Sequence, residues 1–356
     1  MNNNHTFDIN IKKSNGPFLL DCNFLVDGNS LSVFGHSGSG KTTLLNCIAG
    51  FVTPNEGHIF FTNKIFYHSS NNINLPSEKR RLGYVHQHAA LFPHLSVIKN
   101  VEYGYSFTPK SERHFTPMEL MSMLELEDIA LRNISNLSGG ERQKVAIARA
   151  IATSPNLLLL DEPLVSIDHK FRGGLIKKIK YINTELNIPM IYVSHSVSEV
   201  IALSDFVVML ENGKVVKLGH PSLLMDLNQS IYEAFENIIE TKIIHQNDAG
   251  NTLVEYGNVK ITIGKVDYGN GSVILSIKSS DIIISLDKPS LISARNVFKA
   301  RIAEYYIKDD SVLVKCDIGS PLLAEITVEA FNHLDCKKGD DVYLIIKTSS
   351  IALLRD

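Results

Sequence analysis

The sequence predicts an α/β fold with a helical insert, followed by a small all-β domain. Near the amino terminus, short strand-like segments precede a glycine-rich turn and a helix that starts at Lys41. Further along, the continuous apolar runs Leu157 to Leu160 and Met190 to Val193 are typical of parallel strands covered on both faces. In the last third, polar and apolar residues alternate with a period of two, as in Val259 to Ile263 and Val342 to Ile346. We therefore expect an α/β core first and a β domain second.

Between these apolar strands the periodicity becomes that of a helix. One helix face is predicted to carry Met118, Leu120, Met121, Leu124 and Leu126. The helical insert is expected over about residues 88–155. The basic run from Lys79 to Arg81 before it is interpreted as a solvated face.

Charge and cysteine content exclude several classes of function. The 356 residues are 44% apolar, enough for one large core and a smaller one. The 35 basic and 38 acidic residues give a net charge near −3, so we expect no nucleic-acid partner. The 4 cysteines lie far apart, which favours neither a disulfide framework nor a zinc site and fits a reducing cytosol. No segment resembles a signal peptide or approaches the roughly 20 apolar residues of a membrane span, so another chain must supply any channel.

The first chemical motif is a phosphate-binding loop. Gly35 to Thr42 fits the pattern GxxxxGK[ST], with a strand before it and an apolar helix after it. Glycines let backbone amides wrap phosphate oxygens, Lys41 reaches the β and γ oxygens, and the Thr42 hydroxyl ligates Mg²⁺. An ordinary glycine turn does not require these flanks. The candidate ATP-binding residues are Gly35, His36, Ser37, Gly38, Ser39, Gly40, Lys41, Thr42 and Thr43.

Two carboxylates end a buried strand. Asp161 and Glu162 follow Leu157 to Leu160 directly, at the strand end where α/β folds bind ligands. Asp161 is predicted to hold Mg²⁺ through water. Glu162 is predicted to polarise the water that attacks the γ-phosphate, because phosphoryl transfer needs mainly positioning and charge neutralisation. Without the phosphate loop upstream, a simple turn would explain this pair equally well.

A third motif distinguishes one family among the proteins that have a phosphate-binding loop. Leu137 to Gln143 resembles the signature motif of ABC ATPases, and the string opens a helix. Ser138 and the amides of Gly139 and Gly140 would present a second anion site at the helix start. A serine N-cap alone would explain only Ser138. In that family the motif faces the γ-phosphate held by another subunit, so the resemblance implies a homodimer enclosing two ATP molecules.

The resemblance to ABC ATPases assigns further roles. Gln87 corresponds to the glutamine that senses Mg²⁺ and the attacking water, and Asp168 to the aspartate that couples the two sites. His195 corresponds to the histidine that contacts the γ-phosphate and orients Glu162. Phe18 is a candidate for stacking on adenine, although its surroundings depart from the usual tyrosine pattern. An ABC ATPase domain is expected over residues 1–235.

A more specific resemblance concerns the transported substrate. Residues 76–104 resemble the corresponding segment of molybdate-importer ATPase subunits, the ModC type. Ser293 to Asn296, and later Ile345 to Ser349, resemble the Mop-like, OB-like oxyanion-binding domain at the end of such subunits. The resemblance implies a linker and β-rich segment over 236–290 and a Mop-like regulatory domain over 291–356.

The predicted oxyanion site suits a tetrahedral dianion. Arg295 and Lys347 would supply positive charge, and Ser293, Thr348 and backbone amides, with Ala294 between them, would supply directed donors. The bound anion would be molybdate or tungstate. Two alternatives remain: the Ser293 segment is a polar turn, or the domain serves only as a dimer contact.

These resemblances imply an ATP-hydrolysing subunit at the cytoplasmic face of the bacterial inner membrane. Two membrane permease subunits would form the channel, contacted through the region near Leu91 to Val97, and an external binding protein would deliver the oxyanion. One alternative is an importer for sulfate, iron, polyamine or sugar. Others are a soluble ABC ATPase acting on DNA or ribosomes, and an oxyanion-storage protein with an inactive ATPase.

Overall fold

The structure is a computed structural model that describes residues 5–165, 167, 169–224, 236–246, 251–266, 271–308 and 311–355. The chain forms two compact units, Met1–Leu223 and Leu224–Asp356. The first unit therefore ends before the boundary expected at residue 235. Asp168 lies outside the described residues, as does most of the segment between the two units.

One sheet organises the described part of the first unit. Its strands are β1 (His5–Asn15), β2 (Phe18–Gly28), β3 (Ser30–Phe34), β4 (Glu56–Phe61), β5 (Lys64–His68), β6 (Ile73–Asn74), β7 (Leu82–Val85), β8 (Leu157–Asp161), β9 (Met190–Ser194), β10 (Phe206–Glu211) and β11 (Lys214–Gly219). They follow the order β6-β5-β4-β1-β2-β11-β10-β3-β9-β8-β7. The consecutive neighbours β10, β3, β9, β8 and β7 are parallel. Strands β3, β8 and β9 are buried along their whole length, which explains their unbroken apolar runs.

Helices connect many of the described strands of this unit. They are α1 (Lys41–Ala49), α2 (Ser77–Arg80), α3 (Val97–Phe107), α4 (Pro117–Met123), α5 (Gly139–Ala152), α6 (His169–Thr184) and α7 (Val197–Leu203). Helices α3, α4 and α5 lie within the segment expected to be a helical insert. The predicted apolar face is correct for Leu120, Met121, Leu124 and Leu126, which are buried. It is wrong for Met118, which is 59% exposed in the first turn of α4.

The basic run before the insert is not a solvated face throughout, because Arg80 is only 1% exposed. Its guanidinium donates to the carbonyl oxygens of Cys47 and Ile48 at the end of α1, at 2.8 and 2.6 Å. It also donates to the carbonyl oxygen of Leu75 at 2.8 Å and to Asn74 Oδ1 at 3.1 Å. Burial lowers the pKa of Arg80 to about 10, which still leaves it protonated at neutral pH. Arg80 is therefore an internal cap for the helix that follows the phosphate loop.

The described residues of the second unit form two sheets, built from two topological repeats. The first repeat comprises β12 (Glu236–Gln246), β13 (Thr252–Tyr256), β14 (Val259–Ile263), β15 (Ser272–Lys278) and β16 (Ile283–Ser285). The second comprises β17 (Asn296–Lys308), β18 (Ser311–Asp317), β19 (Pro321–Thr327), α8 (Val328–Leu334), β20 (Asp341–Ile346) and β21 (Ile351–Arg355). The sheets have the orders β14-β13-β12-β15-β21 and β19-β18-β17-β20-β16, so each repeat gives its last strand to the other sheet. Residues 236–290, expected to be partly linker, thus supply most of one sheet.

Two buried asparagines join the sheets in equivalent ways. Asn237, near the start of β12, accepts from the Leu323 amide at 2.7 Å and donates to the Leu323 carbonyl at 2.8 Å. Asn296, at the start of β17, accepts from the Thr262 amide at 2.7 Å and donates to the Thr262 carbonyl at 3.0 Å. Each amide side chain thereby pairs with an edge strand of the opposite sheet. This exchange makes the two repeats one folding unit with a single apolar core.

Candidate functional site

The predicted nucleotide site lies at the carboxyl ends of adjacent parallel strands. Phe34 pairs with Ser194, Asp161 with Val193, and Val85 with Leu160, so β3, β9, β8 and β7 end at the same edge. The loops that follow them carry the phosphate loop, the switch histidine, the two carboxylates and Gln87. Motifs that are distant in sequence meet because their strands are neighbours in the sheet.

The phosphate loop has the backbone that its glycines predict. Gly38 and Gly40 have left-handed φ angles of 79° and 105°, which favour glycine. A Cβ on Gly35 would lie 2.3 Å from the Leu210 carbonyl oxygen, so only glycine fits there. Lys41, 5% exposed, donates from Nζ to the carbonyl oxygens of Gly35 at 2.9 Å and His36 at 2.8 Å. The lysine is thereby held across the concave side of the loop.

Three side chains converge on Glu162. Its carboxylate lies 3.5 Å from Lys41 Nζ, 3.4 Å from Gln87 Nε2 and 3.6 Å from His195 Nδ1. Interaction with His195 holds the pKa of Glu162 below its usual range, and the same interaction raises the pKa of His195. Glu162 is therefore held as a carboxylate among hydrogen-bond donors, which is the state that a water-polarising residue needs.

The backbone of Glu162 is strained in a way that fits this position. Its φ is 45°, a left-handed conformation that costs a non-glycine residue on the order of 1–2 kcal/mol. Its amide donates to the Val193 carbonyl oxygen at 3.1 Å, which continues the ladder between β8 and β9. The strand pairing thus fixes the carboxylate directly beyond the sheet edge.

The predicted Mg²⁺ ligands also come together. Thr42 Oγ1 donates to Asp161 Oδ1 at 3.3 Å. Asp161 is only 4% exposed, and burial raises its pKa. Hydroxyl and carboxylate oxygens are the hard ligands that Mg²⁺ prefers. Among the described residues, the buried Ser39 hydroxyl of the phosphate loop has no hydrogen-bond partner, which also fits a loop shaped for an oxygen-rich ligand.

A buried network behind His195 was missed by sequence reasoning. Glu199, 4% exposed, accepts from Tyr192 Oη at 2.9 Å and from Ser194 Oγ at 2.6 Å. Its other oxygen lies 3.5 Å from a nitrogen of Arg172, whose guanidinium also donates to the Leu164 carbonyl oxygen at 3.3 Å. The network therefore connects the residue before His195 with the loop after Glu162. Ser196 and Glu199 have capping-box spacing, so the sequence alone would assign the carboxylate to the start of α7.

The signature motif forms a separate helix start. Ser138 is the N-cap of α5: its hydroxyl accepts from the Glu141 amide at 3.2 Å, and its own amide donates to the Glu141 carboxylate at 2.7 Å. Gly139 and Gly140 are the first residues of the helix. Within the described part of the chain, Ser138 forms hydrogen bonds with Glu141 and not with the phosphate-loop cluster. The structure thus joins all the predicted nucleotide motifs in one site except the signature motif and Asp168, which is not described.

Two further predictions can be located. The Phe18 ring lies against the phosphate loop, since a Cβ on Gly40 would be 2.9 Å from its Cζ. In the second unit, Arg295 and Lys347 directly flank the last pair of the β17 and β20 ladder, Asn296 with Ile346. The ladder therefore brings both predicted oxyanion-binding cations to one end of the sheet, next to Ser293, Ala294 and Thr348 in the chain.

Comparison with known families agrees with this geometry. The ABC transporter family matches residues 23–165, and the TOBE domain matches residues 292–353. A dimeric ATP-binding cassette in a post-hydrolysis state, bound to ADP and Pi, has a TM-score of 0.52 and 29% identity, covering 61% of this chain and 98% of that chain. A dimeric bacterial ABC transporter cassette has a TM-score of 0.51 and 27% identity, with the same coverage. The fold and the site define an ATP-hydrolysing ABC ATPase with a carboxyl-terminal TOBE domain.

Relatives that match nearly the whole chain identify its family among the ABC ATPases. The molybdenum import ATP-binding protein ModC of Photobacterium profundum is 36% identical over 354 residues, covering 96% of this chain and 98% of that protein. ModC of Salmonella typhi is 35% identical over 360 residues, covering 97% and 99%. The chain belongs to the family of molybdenum import ATP-binding proteins. Among the described residues, no helix is long and apolar enough to cross a membrane.

Proposed function

We propose that this chain is the ATPase subunit of a molybdate or tungstate importer and that Glu162 activates the attacking water. The observation that carries the catalytic part is the convergence of Lys41, Gln87 and His195 on the Glu162 carboxylate, at 3.4 to 3.6 Å. The ModC names of the relatives support the transported substrate. The geometry gives no separate support to a sulfate, iron, polyamine or sugar importer.

The residues at the sheet edge fit ATP and Mg²⁺. Amides of Gly35 to Thr43 would bind phosphate oxygens, with Lys41 neutralising the terminal phosphates. Thr42, Asp161 and Gln87 would hold Mg²⁺, which neutralises charge on the phosphates when bound. Glu162 accepts a hydrogen bond from the attacking water and holds it in line. His195 keeps the Glu162 carboxylate oriented, and Gln87 connects it to the helical insert.

The protein would act as a homodimer. Among the described residues, Ser138 at the start of α5 forms its hydrogen bonds with Glu141 and none with the cluster around Lys41, which leaves the anion-binding amides of Gly139 and Gly140 for a nucleotide bound by another protomer. A second copy would bring its signature motif over the phosphates. The two dimeric cassettes of similar fold support this arrangement. Asp168 would couple the two sites, and Phe18, beside Gly40, would stack on adenine.

An aromatic groove would receive the membrane permease. A depression of about 750 Å³ is bordered by His86 and Ala90 of the glutamine loop and by the aromatic residues Phe51, Tyr84, Phe92, Tyr103 and Phe107. Phe107 is 75% exposed and Phe51 is 56% exposed. We assign it to a helix of the permease's cytoplasmic loop, because an occupant would contact the glutamine loop directly and so sense the nucleotide site. One of the bordering residues, Phe92, lies within the contact region predicted near Leu91 to Val97.

The remaining partners follow from this role. The subunit would lie on the cytoplasmic face of the bacterial inner membrane, bound to two permease subunits. A periplasmic or extracellular binding protein would deliver the oxyanion. In the second unit, Arg295 and Lys347 with Ser293, Ala294 and Thr348 would bind a molybdate or tungstate ion as a regulatory ligand. Two cations at one end of a sheet suit a dianion with four oxygen acceptors.

The catalytic proposal is tested with Glu162→Gln. The amide keeps the size of the side chain but cannot accept a proton, so we expect steady-state ATP hydrolysis to fall by about 10²–10³-fold while ATP binding persists. Size-exclusion chromatography with ATP and Mg²⁺ should detect a nucleotide-bound dimer. Glu185→Gln, just after α6, is the matched control, because it removes an exposed carboxylate outside the cluster and outside the signature motif. Undiminished hydrolysis by Glu162→Gln would remove Glu162 as the activating residue.

The transport proposal needs its own assay. The subunit is reconstituted with its permease and binding protein in liposomes, and ATP hydrolysis is measured with molybdate, tungstate or sulfate. Stimulation by molybdate or tungstate is the expected result. Stimulation by sulfate alone would assign the importer to another substrate while leaving the ATPase mechanism intact.

A further inference from the structure

The two repeats of the second unit contain two copies of one segment. In the second repeat, Lys347 and Thr348 follow the ladder between β17 and β20. In the first repeat, Lys278 ends β15 and Ser279 comes next, at the same point of the ladder between β12 and β15. A short 3₁₀ turn begins at the hydroxyl residue in both repeats. The first repeat thus carries a topological equivalent of half of the proposed oxyanion site.

The charges around the two copies differ. The residue paired with Lys278 in the ladder is Glu236. At the equivalent place in the second repeat, Arg295 directly precedes Asn296, and Asn296 pairs with Ile346, the residue before Lys347. At these equivalent positions, the sequence of the second copy has two basic residues, whereas that of the first has one basic and one acidic residue. The sequence thus favours the second copy for binding a dianion.

The hydroxyl groups differ as well. Ser279, 1% exposed, donates from Oγ to Glu325 Oε2 at 3.1 Å. Thr348 Oγ1 is also buried, and among the described residues it has no hydrogen-bond partner. A carboxylate oxygen therefore already binds the hydroxyl in the first copy, while the hydroxyl of the second copy has its bonding capacity unused.

The pairing of the asparagines explains this difference. Asn237 bonds the backbone of Leu323, two residues before Glu325, on the edge strand β19. Asn296 bonds the backbone of Thr262, and the residue two places further along is Gly264. Glycine has no side chain to reach the hydroxyl, and no atom of the described residues, other than its two chain neighbours, lies within 4 Å of a Cβ built on Gly264. The first repeat has a carboxylate where the described residues of the second leave open space.

We propose that each chain has one open oxyanion site, formed by Arg295, Lys347 and Thr348, and that the Glu325 carboxylate closes the equivalent position at Lys278 and Ser279. This inference rests on the proposed regulatory oxyanion site and adds its stoichiometry. Glu325 acts as an internal anion: it fills the position of a ligand oxygen, and its charge repels a dianion that approaches the first copy.

Isothermal titration of the full chain with sodium molybdate tests the proposal. A saturating non-hydrolysable ATP analogue with Mg²⁺ keeps molybdate from the phosphate loop. We expect one molybdate per wild-type chain and at least a tenfold loss of affinity in Lys347→Ala. The double variant Glu236→Arg/Glu325→Ala should bind two, because it places a basic residue where the first copy has an acidic one and removes the side chain that accepts from Ser279.

The controls separate this inference from the proposed function. Glu329→Ala, in helix α8 of the same unit, should leave the stoichiometry at one, and circular dichroism checks that every variant is folded. Two molybdates on the wild-type chain, or one on Glu236→Arg/Glu325→Ala, would overturn the role of Glu325. Binding that survives Lys347→Ala but is lost in Lys278→Ala would reverse the assignment of the open copy. No binding at all to the wild type would instead contradict the oxyanion site of the proposed function.

Discussion

Replacing Arg80 by alanine tests how the helix behind the phosphate loop is held. The guanidinium makes hydrogen bonds of 2.6 to 3.1 Å with three backbone carbonyls and with Asn74. Its carbon Cζ lies 5.3 Å from the centre of the Phe66 ring. Arg80→Ala removes all these contacts. It also leaves a cavity beside Gly50, because the guanidinium packs so closely there that a Cβ on Gly50 would lie only 2.8 Å from it.

The expected loss of unfolding free energy depends on which backbone carbonyls lose their hydrogen-bond donor. The Cys47 carbonyl keeps the Gly50 amide at 3.2 Å, so it remains paired. The carbonyls of Ile48 and Leu75 lose a charged donor, at about 1–3 kcal/mol each when buried. Loss of the desolvated contact with Phe66 adds about 1–2 kcal/mol, and relief of the buried charge offsets part of the sum. We expect the first unit to lose about 3–5 kcal/mol of unfolding free energy.

Urea unfolding, followed by tyrosine fluorescence and circular dichroism, measures this loss. The transition of the nucleotide-binding unit is recognised because ATP and Mg²⁺ raise its midpoint. Lys79→Ala is the matched control: Lys79 is the exposed neighbour in the same helix, and its substitution should change the free energy by less than about 0.5 kcal/mol. Equal, small effects of the two substitutions would refute the reasoning that Arg80 caps α1.

Three further predictions concern buried polar groups. Glu199→Ala should lower kcat for ATP hydrolysis about tenfold or more with little change in KM. Glu199→Gln should restore part of kcat, because the amide oxygen can still accept from Ser194. Equal kcat for both variants would indicate a purely structural role. Burial raises the pKa of Cys22 to about 12 and that of Cys47 to about 11, so both thiols stay protonated at pH 8. Iodoacetamide should therefore modify them at least about 100-fold more slowly in the native protein than in the urea-unfolded protein, as measured by peptide mass spectrometry. Asn237→Ala should destabilise the second unit by about 2–4 kcal/mol in urea, because the amide and the carbonyl of Leu323 both lose their partner. The ATP-dependent transition of the first unit should stay unchanged. A shift of that transition would contradict the independent unfolding of the two units.

The sequence could predict the parts of the fold whose residues act locally. Glycines in the phosphate loop are required by left-handed φ angles or close backbone contacts, so their spacing indicates the loop without tertiary information. The run Leu157 to Leu160 indicates a strand buried on both faces, and the structure buries all of it. The alternating segments of the last third likewise predicted β14 and β20.

Residues that act through distant partners could not be found in this way. Arg80 lies between two other basic residues, and nothing in that run distinguishes the buried guanidinium from the exposed Lys79. Glu199 has the spacing of a helix cap, yet its carboxylate turns toward Arg172 and Tyr192. In both cases the deciding fact is which backbone or side chain lies opposite, and this depends on the packing of segments far apart in sequence.

The repeat in the second unit was hidden for a related reason. Apart from the asparagines near the strand starts, the two copies agree mainly in one short stretch, in which Val273 to Ile282 and Val342 to Ile351 are identical at six of ten positions. The family match covers only residues 292–353, which form the second copy. The exchange of β16 and β21 between the sheets is a property of strand order, and strand order cannot be read from the alternation of apolar residues.

Strand order also explains why the nucleotide site exists. Gly35, Gln87, Glu162 and His195 are separated by dozens of residues, and each follows a different strand. Only the order β3-β9-β8-β7, with all four strands parallel, brings their loops to one edge within hydrogen-bonding reach of the Glu162 carboxylate. A strand inserted between β8 and β9 would separate Glu162 from His195 by about 4.8 Å more, and their contact would be lost. The chemistry of the site therefore depends on the pairing of these two strands as much as on the residues themselves.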